Sequence, residues 1–378
     1  MKRIYLDWNA TAPLLPEVSD AMVKAMSTIV GNASSVHQEG QAARTQVERT
    51  RRAVAKALNA PPQAIVLTGG ATESNNLVLR DYIARHPEAA LFATVVEHPS
   101  VIEVVEDLQA KGTTVHRLAV LHDGTLAADA LASLKAGDLV SVMWANNEIG
   151  NIYPVREIAD RVHAMGGRLH VDATQALGRV PVDFADSEAD FMSLSFHKMG
   201  GPKGIGALLV REGNKVERIL SGGHQERGRR PGTENVPAAA GLEAAMNVLQ
   251  QCQSSWQATL KHLQSVALSE LRTIEGFELR GALSSGGPSL PNTINFAFEG
   301  LDGEDLLLAL DLAGVALSSG SACTAGSLEP SHVVVAMGFP HTEARRSIRM
   351  SFGPSTHEAE VVDACGRIAQ TVDRLRRI

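Results

Sequence analysis

Between about Ala64 and Val210 the chain alternates short apolar runs with amphipathic stretches, and few architectures accommodate that rhythm. Runs buried on both faces belong to a mostly parallel sheet with helices packed on each side. Segments 64–70, 91–96, 113–120, 139–147, 168–173, 190–196 and 204–210 are predicted to be its strands. Between two of them, Val155, Ile158, Val162 and Met165 recur at spacings of three and four, which predicts a helix with one apolar stripe against the sheet. From Asn235 to about Arg272 the chain is rich in Ala, Leu, Met and Gln, and one long helix is predicted to leave the sheet there. Runs near 276–281, 292–298 and 345–353, with helical stretches near 303–313 and 358–376, predict a smaller α+β domain. The expected organisation is therefore an arm over 1–30 that joins the small domain, a large domain over 31–250 and a small domain over 251–378.

Composition narrows the function. Only 4% of residues are aromatic against 44% apolar overall, so the core rests on aliphatic packing. The formal net charge of −7 supplies no global positive field, and neither nucleic acid nor a membrane surface is expected as a partner. The three cysteines Cys252, Cys323 and Cys365 lie far apart without a C-x-x-C pair, so no zinc or redox dithiol is expected. A reducing compartment suits them. The start MKRIYLDWNATAP meets Asp7 and Asn9 before an apolar leader develops, and no run of 18 apolar residues follows, which predicts a cytoplasmic protein.

Three motifs carry chemistry. LTGGATESNN (67–76) follows one strand and opens a helix, placing backbone N–H groups and the Thr72 and Ser74 hydroxyls at a positive helix end suited to phosphate. It is neither a nucleoside-triphosphate loop nor a dinucleotide fingerprint. In RLHVDATQALG (168–178), Asp172 stands at a strand's carboxyl end, where open sheets place ligands; it could cap the next turn or face a protonated ring nitrogen. In SLSFHKMGGPKGIG (193–206), Lys198 ends the next strand, and partial desolvation there suits a Schiff-base amine. Lys203 follows Pro202 in the turn.

Phosphate turn, aspartate and lysine arrive in the order of aspartate-aminotransferase-like pyridoxal phosphate enzymes. The sequence resembles the cysteine desulfurases of the nitrogen-fixation and iron–sulfur-cluster-assembly type over nearly its whole length. The resemblance runs from YLDWNATAP (5–13) and GNASSVH (31–37) through GGATESNN, VEHPSV (96–101), NNEIG (146–150), HVDATQ (170–175) and SFHKMGGPKGIG. It continues through ERGRRPGTEN (226–235) and SSGSACTAGSLEPS (318–331) to SIRMSFG (347–353).

This resemblance implies an α/β aspartate-aminotransferase-like fold with a seven-stranded, mostly parallel sheet domain and a smaller α+β domain. It implies pyridoxal 5'-phosphate as cofactor, with Lys198 as the Schiff-base lysine and Asp172 as partner of the pyridine nitrogen. His98 becomes the imidazole stacked on the ring, able to shuttle protons. Asn147 and Gln175 become amides at the phenolic oxygen, and Ala71, Thr72, Ser195 and His197 become phosphate contacts. Thr233 becomes the residue that reaches the phosphate of a second subunit in a homodimer. Arg349 matches the arginine that clamps the substrate α-carboxylate, Asn147 lying near it, while Arg345 and Arg346 stand close enough in sequence to compete. Cys323, in a Ser/Gly-rich segment expected to move, becomes the nucleophile that takes sulfur from L-cysteine as a persulfide, leaving L-alanine. The persulfide would pass to an acceptor such as an iron–sulfur scaffold, and no resident metal is expected, although Cys323 could contact a cluster during transfer. Cys252 and Cys365 sit in helical patterns and are expected to pack. Selenocysteine lyase and aminotransferase chemistry are the alternatives on this fold, and Cys323 separates them.

The sequence also departs from the family. Phe196 stands where Ala or Gly is usual, Trp8 where Tyr or Asn is usual, and Gly222-Gly223-His224 replaces a glycine run; these are expected to narrow the pocket and remove no catalytic group. The sequence ends at Ile378, where housekeeping desulfurases carry a longer tail, so docking on their scaffold through such a tail is not expected.

Overall fold

The computed structural model describes residues 2–319 and 330–377. The Cys323 segment lies outside the described residues. The arm holds β1 (Ile4–Tyr5) and α1 (Pro16–Thr28), and α2 (Gln38–Ala57) follows. Strands and helices then alternate: β2 (Ile65–Thr68), α3 (Ala71–Arg85), β3 (Leu91–Thr94), α4 (Pro99–Ala110), β4 (Val115–Leu118), β5 (Leu139–Met143) and α5 (Val155–Ala164). Next come β6 (Arg168–Asp172), α6 (Phe184–Ser187), β7 (Phe191–Ser195) and β8 (Gly206–Val210). These strands form one seven-stranded sheet in the order β2-β8-β7-β6-β5-β3-β4, and β8 runs antiparallel to both its neighbours.

Each strand falls within its predicted run; six are buried on both faces along nearly all their length, whereas β4, at the sheet edge, is only partly buried. One face, with Val140, Val142, Leu169, Val171, Met192 and Leu194, packs in a core shared with α2 and α5. The other, with Leu91, Leu139, Phe191 and Leu208, packs in a core with α3 and α4. In α5 the stripe of Val155, Ile158 and Val162 is buried as predicted. Met165 is not part of it: the helix ends at Ala164, Gly166 turns the chain at φ 75°, and Met165 is 48% exposed.

The long helix α7 (Val236–Leu271) starts where Pro237 is tolerated in its first turn and the Asn235 side chain accepts from the Ala238 N–H. Its first half, including Leu242, Met246 and Leu249, belongs to the sheet core; Leu260, Leu263, Ala267 and Leu271 belong to a separate core. Around that second core lie β9 (Phe277–Arg280), β10 (Thr293–Phe298), α8 (Gly303–Leu312), β11 (Val315–Ala316), β12 (Ser318–Ser319), β13 (Ile348–Ser351) and α11 (Glu358–Leu375), while α9 (His332–Ala336) packs Val333 into the sheet core and α10 (His341–Ala344) follows it. Four of these strands make an antiparallel sheet in the order β12-β13-β10-β9, while β1 pairs in parallel with β11. The arm thereby joins the two sheets: Leu6 enters the small core and Val18 the large one.

Candidate active site

At the carboxyl ends of β2, β3, β5, β6 and β7 a cavity of about 880 Å³ opens. Ala71, Thr72, His98, Asn147, Asp172, Gln175, Ser195, His197, Lys198 and Arg349 all line it, as do Asn9, Thr11, Glu148, Lys203 and His332. Its position is the one open α/β sheets give their ligands.

One end of the cavity is built to hold an anion. Gly70, at φ 153°, caps α3 without a side chain, so the first N–H groups of that 15-residue helix face outward beside Ala71 and Thr72. The turn rests directly on β8, where a Cβ on Gly206 would lie 2.5 Å from Gly70 Cα. Glu73 accepts the Gly69 N–H at 2.7 Å and is itself held by Arg230 at 2.8 Å. Ser74 does not join this cradle: it is fully buried, with its hydroxyl 2.9 Å from Thr68 Oγ1 and 3.2 Å from the Gly70 carbonyl. A hydroxyl in the first turn of a helix can bond back to the preceding carbonyl as readily as to a ligand, and here it does.

Asp172 ends β6, caps the turn that follows it and lines the cavity. Its Oδ1 accepts the Thr174 N–H at 3.0 Å, capping the turn, and its Oδ2 accepts Asn75 Nδ2 at 2.8 Å. Asn75 also donates to Ser100 Oγ at 2.9 Å, and Ser100 Oγ lies 2.9 Å from His98 Nδ1. Since His98 Nδ1 accepts the Ser100 N–H, the neutral ring carries its proton on Nε2. Burial and the Lys198 ammonium push His98 down to about 4. Beneath it, Glu97 is fully buried, with one oxygen accepting from Thr94 Oγ1 and the Met143 N–H; burial, with Asp172 nearby, pushes its carboxyl up to about 8. Glu148, which lines the cavity, is buried as well, and burial raises its carboxyl.

Lys198 lies in a 3₁₀ turn just past β7. The carbonyl of that residue accepts from Arg179 Nη2 at 3.3 Å, and the His197 ring meets Thr11 Oγ1 at 3.0 Å. Lys203 also lines the cavity from the turn beyond. Gln175 donates from Nε2 to the Asn9 carbonyl at 3.0 Å and accepts at Oε1 from Arg179 at 2.6 Å.

The opposite wall comes from the arm and the small domain. Arg349 of β13 is 2% exposed, donates to Asp7 Oδ1 at 2.7 Å and to the Asn147 carbonyl at 2.9 Å, and has a buried Nε without a partner among the described residues. A carboxylate is the ligand such a fork accepts. Arg346 instead pairs with Glu343 and Glu278, and neither it nor Arg345 lines the cavity.

Other residues fall elsewhere. Thr233 is exposed and outside the lining of this chain's own cavity. Cys365 is buried in α11, where burial pushes its thiol up to about 12, and Cys252 is half-buried in α7. The expected narrowing by the departures does not occur: Phe196 is fully buried in the sheet core, the Trp8 ring covers Gly353, and Gly222 to His224 are exposed. Sequence reading missed Asn75, Ser100, Asn9, Arg179 and His332. Asn75 lies one turn beyond the glycine motif, and Ser100 two residues past His98, so a search of each motif's next helical turn finds both.

The aminotransferase class-V family model matches residues 4–363, and the chain belongs to that family, whose cofactor is pyridoxal 5'-phosphate. It is 40% identical to a cysteine desulfurase of Enterobacter agglomerans, spanning all of this chain and 94% of the relative, and 39% identical to cysteine desulfurase NifS of Azotobacter vinelandii over the same shares. A solved NifS-like protein superposes with a TM-score of 0.92 at 31% identity, covering 98% of this chain and all of the other. The residues present fit the cofactor: a helix end without a side-chain cap for its phosphate, the Asp172 carboxyl for its ring nitrogen and a lysine amine for its aldehyde share one cavity.

Proposed function

We propose that this chain is a pyridoxal-phosphate cysteine desulfurase that converts L-cysteine to L-alanine and leaves the sulfur as a persulfide on Cys323. The observation that carries the reading is the meeting of Lys198, Asp172, His98 and Arg349 in one cavity, in a chain similar over its full length to cysteine desulfurases. When bound, the cofactor supplies an electron sink for the substrate's Cα. Thr72, Ala71, Ser195 and His197 hold its phosphate, and Asp172 keeps a proton on its ring nitrogen. Arg349, with Asn147 beside it, binds the substrate carboxylate and so orients the Cα proton toward Lys198, which removes it. His98, neutral at physiological pH, holds a proton at Nε2 for the product side. The Cys323 thiolate attacks the substrate sulfur; an S–S bond forms as the C–S bond breaks, and the electron pair stays with carbon, which is protonated to give alanine.

The persulfide is passed to an acceptor protein, with an iron–sulfur scaffold the favoured class. A homodimer is supported by Val23, Met26 and Val30, all exposed around α1, and by Thr233, which has no role at its own cavity. A reducing, cytoplasmic setting suits a thiol that must stay free. Among the described residues no helix is long and apolar enough to cross a membrane.

The test is mass mapping of the persulfide after addition of L-cysteine. Cys323→Ser should keep the cofactor and its spectral response to cysteine, yet form no persulfide and little alanine. Cys252→Ser and Cys365→Ser should retain both. Normal turnover by Cys323→Ser would move the assignment to a selenocysteine lyase or aminotransferase.

A further inference from the structure

Arg179 is 4% exposed, yet no carboxylate lies within hydrogen-bonding distance of it among the described residues. Its guanidinium is surrounded by neutral oxygens instead. Nη1 donates to the Gln175 carbonyl at 2.8 Å and to Gln175 Oε1 at 2.6 Å; Nη2 donates to the Trp8 carbonyl at 3.4 Å and the Lys198 carbonyl at 3.3 Å. A buried charge is costly, and one without a counter-ion persists only where dipoles are fixed around it. Burial and the Arg349 charge lower its pKa to about 9, which still leaves it cationic near neutral pH.

The consequence lies in the Gln175 amide. An amide has a donor and an acceptor end, and only its partners decide which end faces a cavity. Arg179 can only donate, so it takes Oε1; the Asn9 carbonyl can only accept, so it takes one Nε2 hydrogen. Flipping the amide would set donor against donor and acceptor against acceptor. The second Nε2 hydrogen is thereby kept available to the cavity that Gln175 lines. Through its other arm the same guanidinium ties the arm of the chain to the turn bearing Lys198.

We infer that Arg179 is a positioning residue that holds the Gln175 amide with its NH₂ toward the cofactor's phenolic oxygen and fixes the Lys198 turn beside it. The inference rests on the pyridoxal-phosphate reading above. A donor at the phenolic oxygen stabilises its anionic form, which lowers the pH at which the lysine-bound cofactor loses its proton and changes its visible band. Losing that donor raises this midpoint.

The experiment is a pH titration of the visible band in the purified, substrate-free holoenzyme, for wild type, Arg179→Met, Gln175→Ala and the double variant. A wild type without a visible band that borohydride fixes to Lys198 would refute the cofactor reading itself. With the band present, Arg179→Met and Gln175→Ala should each raise the midpoint, by about one pH unit for the glutamine. In the double variant the shift should be no larger than that of Gln175→Ala alone. Additive shifts, or an unmoved midpoint in Arg179→Met, would overturn the positioning role. If Arg179→Met does not fold, Arg179→Lys keeps the charge but loses the fork. It should raise the midpoint in the wild-type background and leave it unmoved in Gln175→Ala; a shift persisting there overturns the inference.

Discussion

The strand-end wall of the cavity and the wall built from the arm and small domain hold their charges in different ways. On the first, Asp172, Asn75, Ser100 and His98 form a connected run of hydrogen bonds among neighbours supported by one sheet. On the second, Arg349 is held by Asp7, from the far end of the chain, and by the Asn147 carbonyl. The first wall is set once the large sheet forms. The second exists only when the arm, the loop after β5 and β13 have met. A cofactor that stays bound belongs against the first, and a substrate that comes and goes belongs against the second.

The widest separation between the walls is expected at Lys198. Lys198→Ala should lose the visible band of the lysine-bound cofactor and lower alanine formation by roughly 10³-fold, the range of a lost positioned acid–base group. Lys203→Ala, which alters only the following turn, should keep the band. A band surviving in Lys198→Ala and vanishing in Lys203→Ala would reverse the two lysines.

A smaller and more selective effect is expected at Arg349. Arg349→Lys keeps a cation but not the fork, so KM for L-cysteine should rise about 10- to 100-fold, the cost of one or two charge-assisted bonds. Cofactor content and the visible band should stay as in wild type. Their loss in this variant would show that the two walls are not independent, and the comparison would fail at its base.

The two walls also differ in how far they could be read from sequence. Asp172, Ser195 and Lys198 each fall at or just beyond the end of an apolar run, so the parallel-sheet rhythm brings them together without any knowledge of side-chain detail. Arg349 was legible only through family resemblance, because its pairing with Asp7 spans 342 residues and leaves no local period. Arg179 was missed for a related reason. It follows Gly178 in a turn without helical or strand periodicity, and three of the four oxygens it bonds are backbone carbonyls, which no side-chain pattern announces. Ser74 and Phe196 were misread because sequence position tells how near a residue comes to a site and not which way it faces. The Ser74 hydroxyl is spent on Thr68 and Gly70, and Phe196 turns into the sheet core.

The smallest expected effect concerns a group that supports the first wall from below. Glu97 has its carboxyl pushed up to about 8 by burial, with Asp172 adding to the shift, whereas an exposed glutamate has a value near 4.5. Its folded pKa is therefore raised, and the sign follows: stability linked to Glu97 is fully present below pH 4.5 and is lost as pH rises toward 8. Over that window the unfolded chain gives up the proton that the folded chain keeps. Glu97→Gln removes the titration while keeping an acceptor for Thr94 and the Met143 N–H. The melting temperature of the variant, measured relative to wild type, should thus rise from pH 5 to pH 8, with the variant gaining at the alkaline end. A difference that is flat across this range would mean that Glu97 is ionised in the folded protein despite its complete burial.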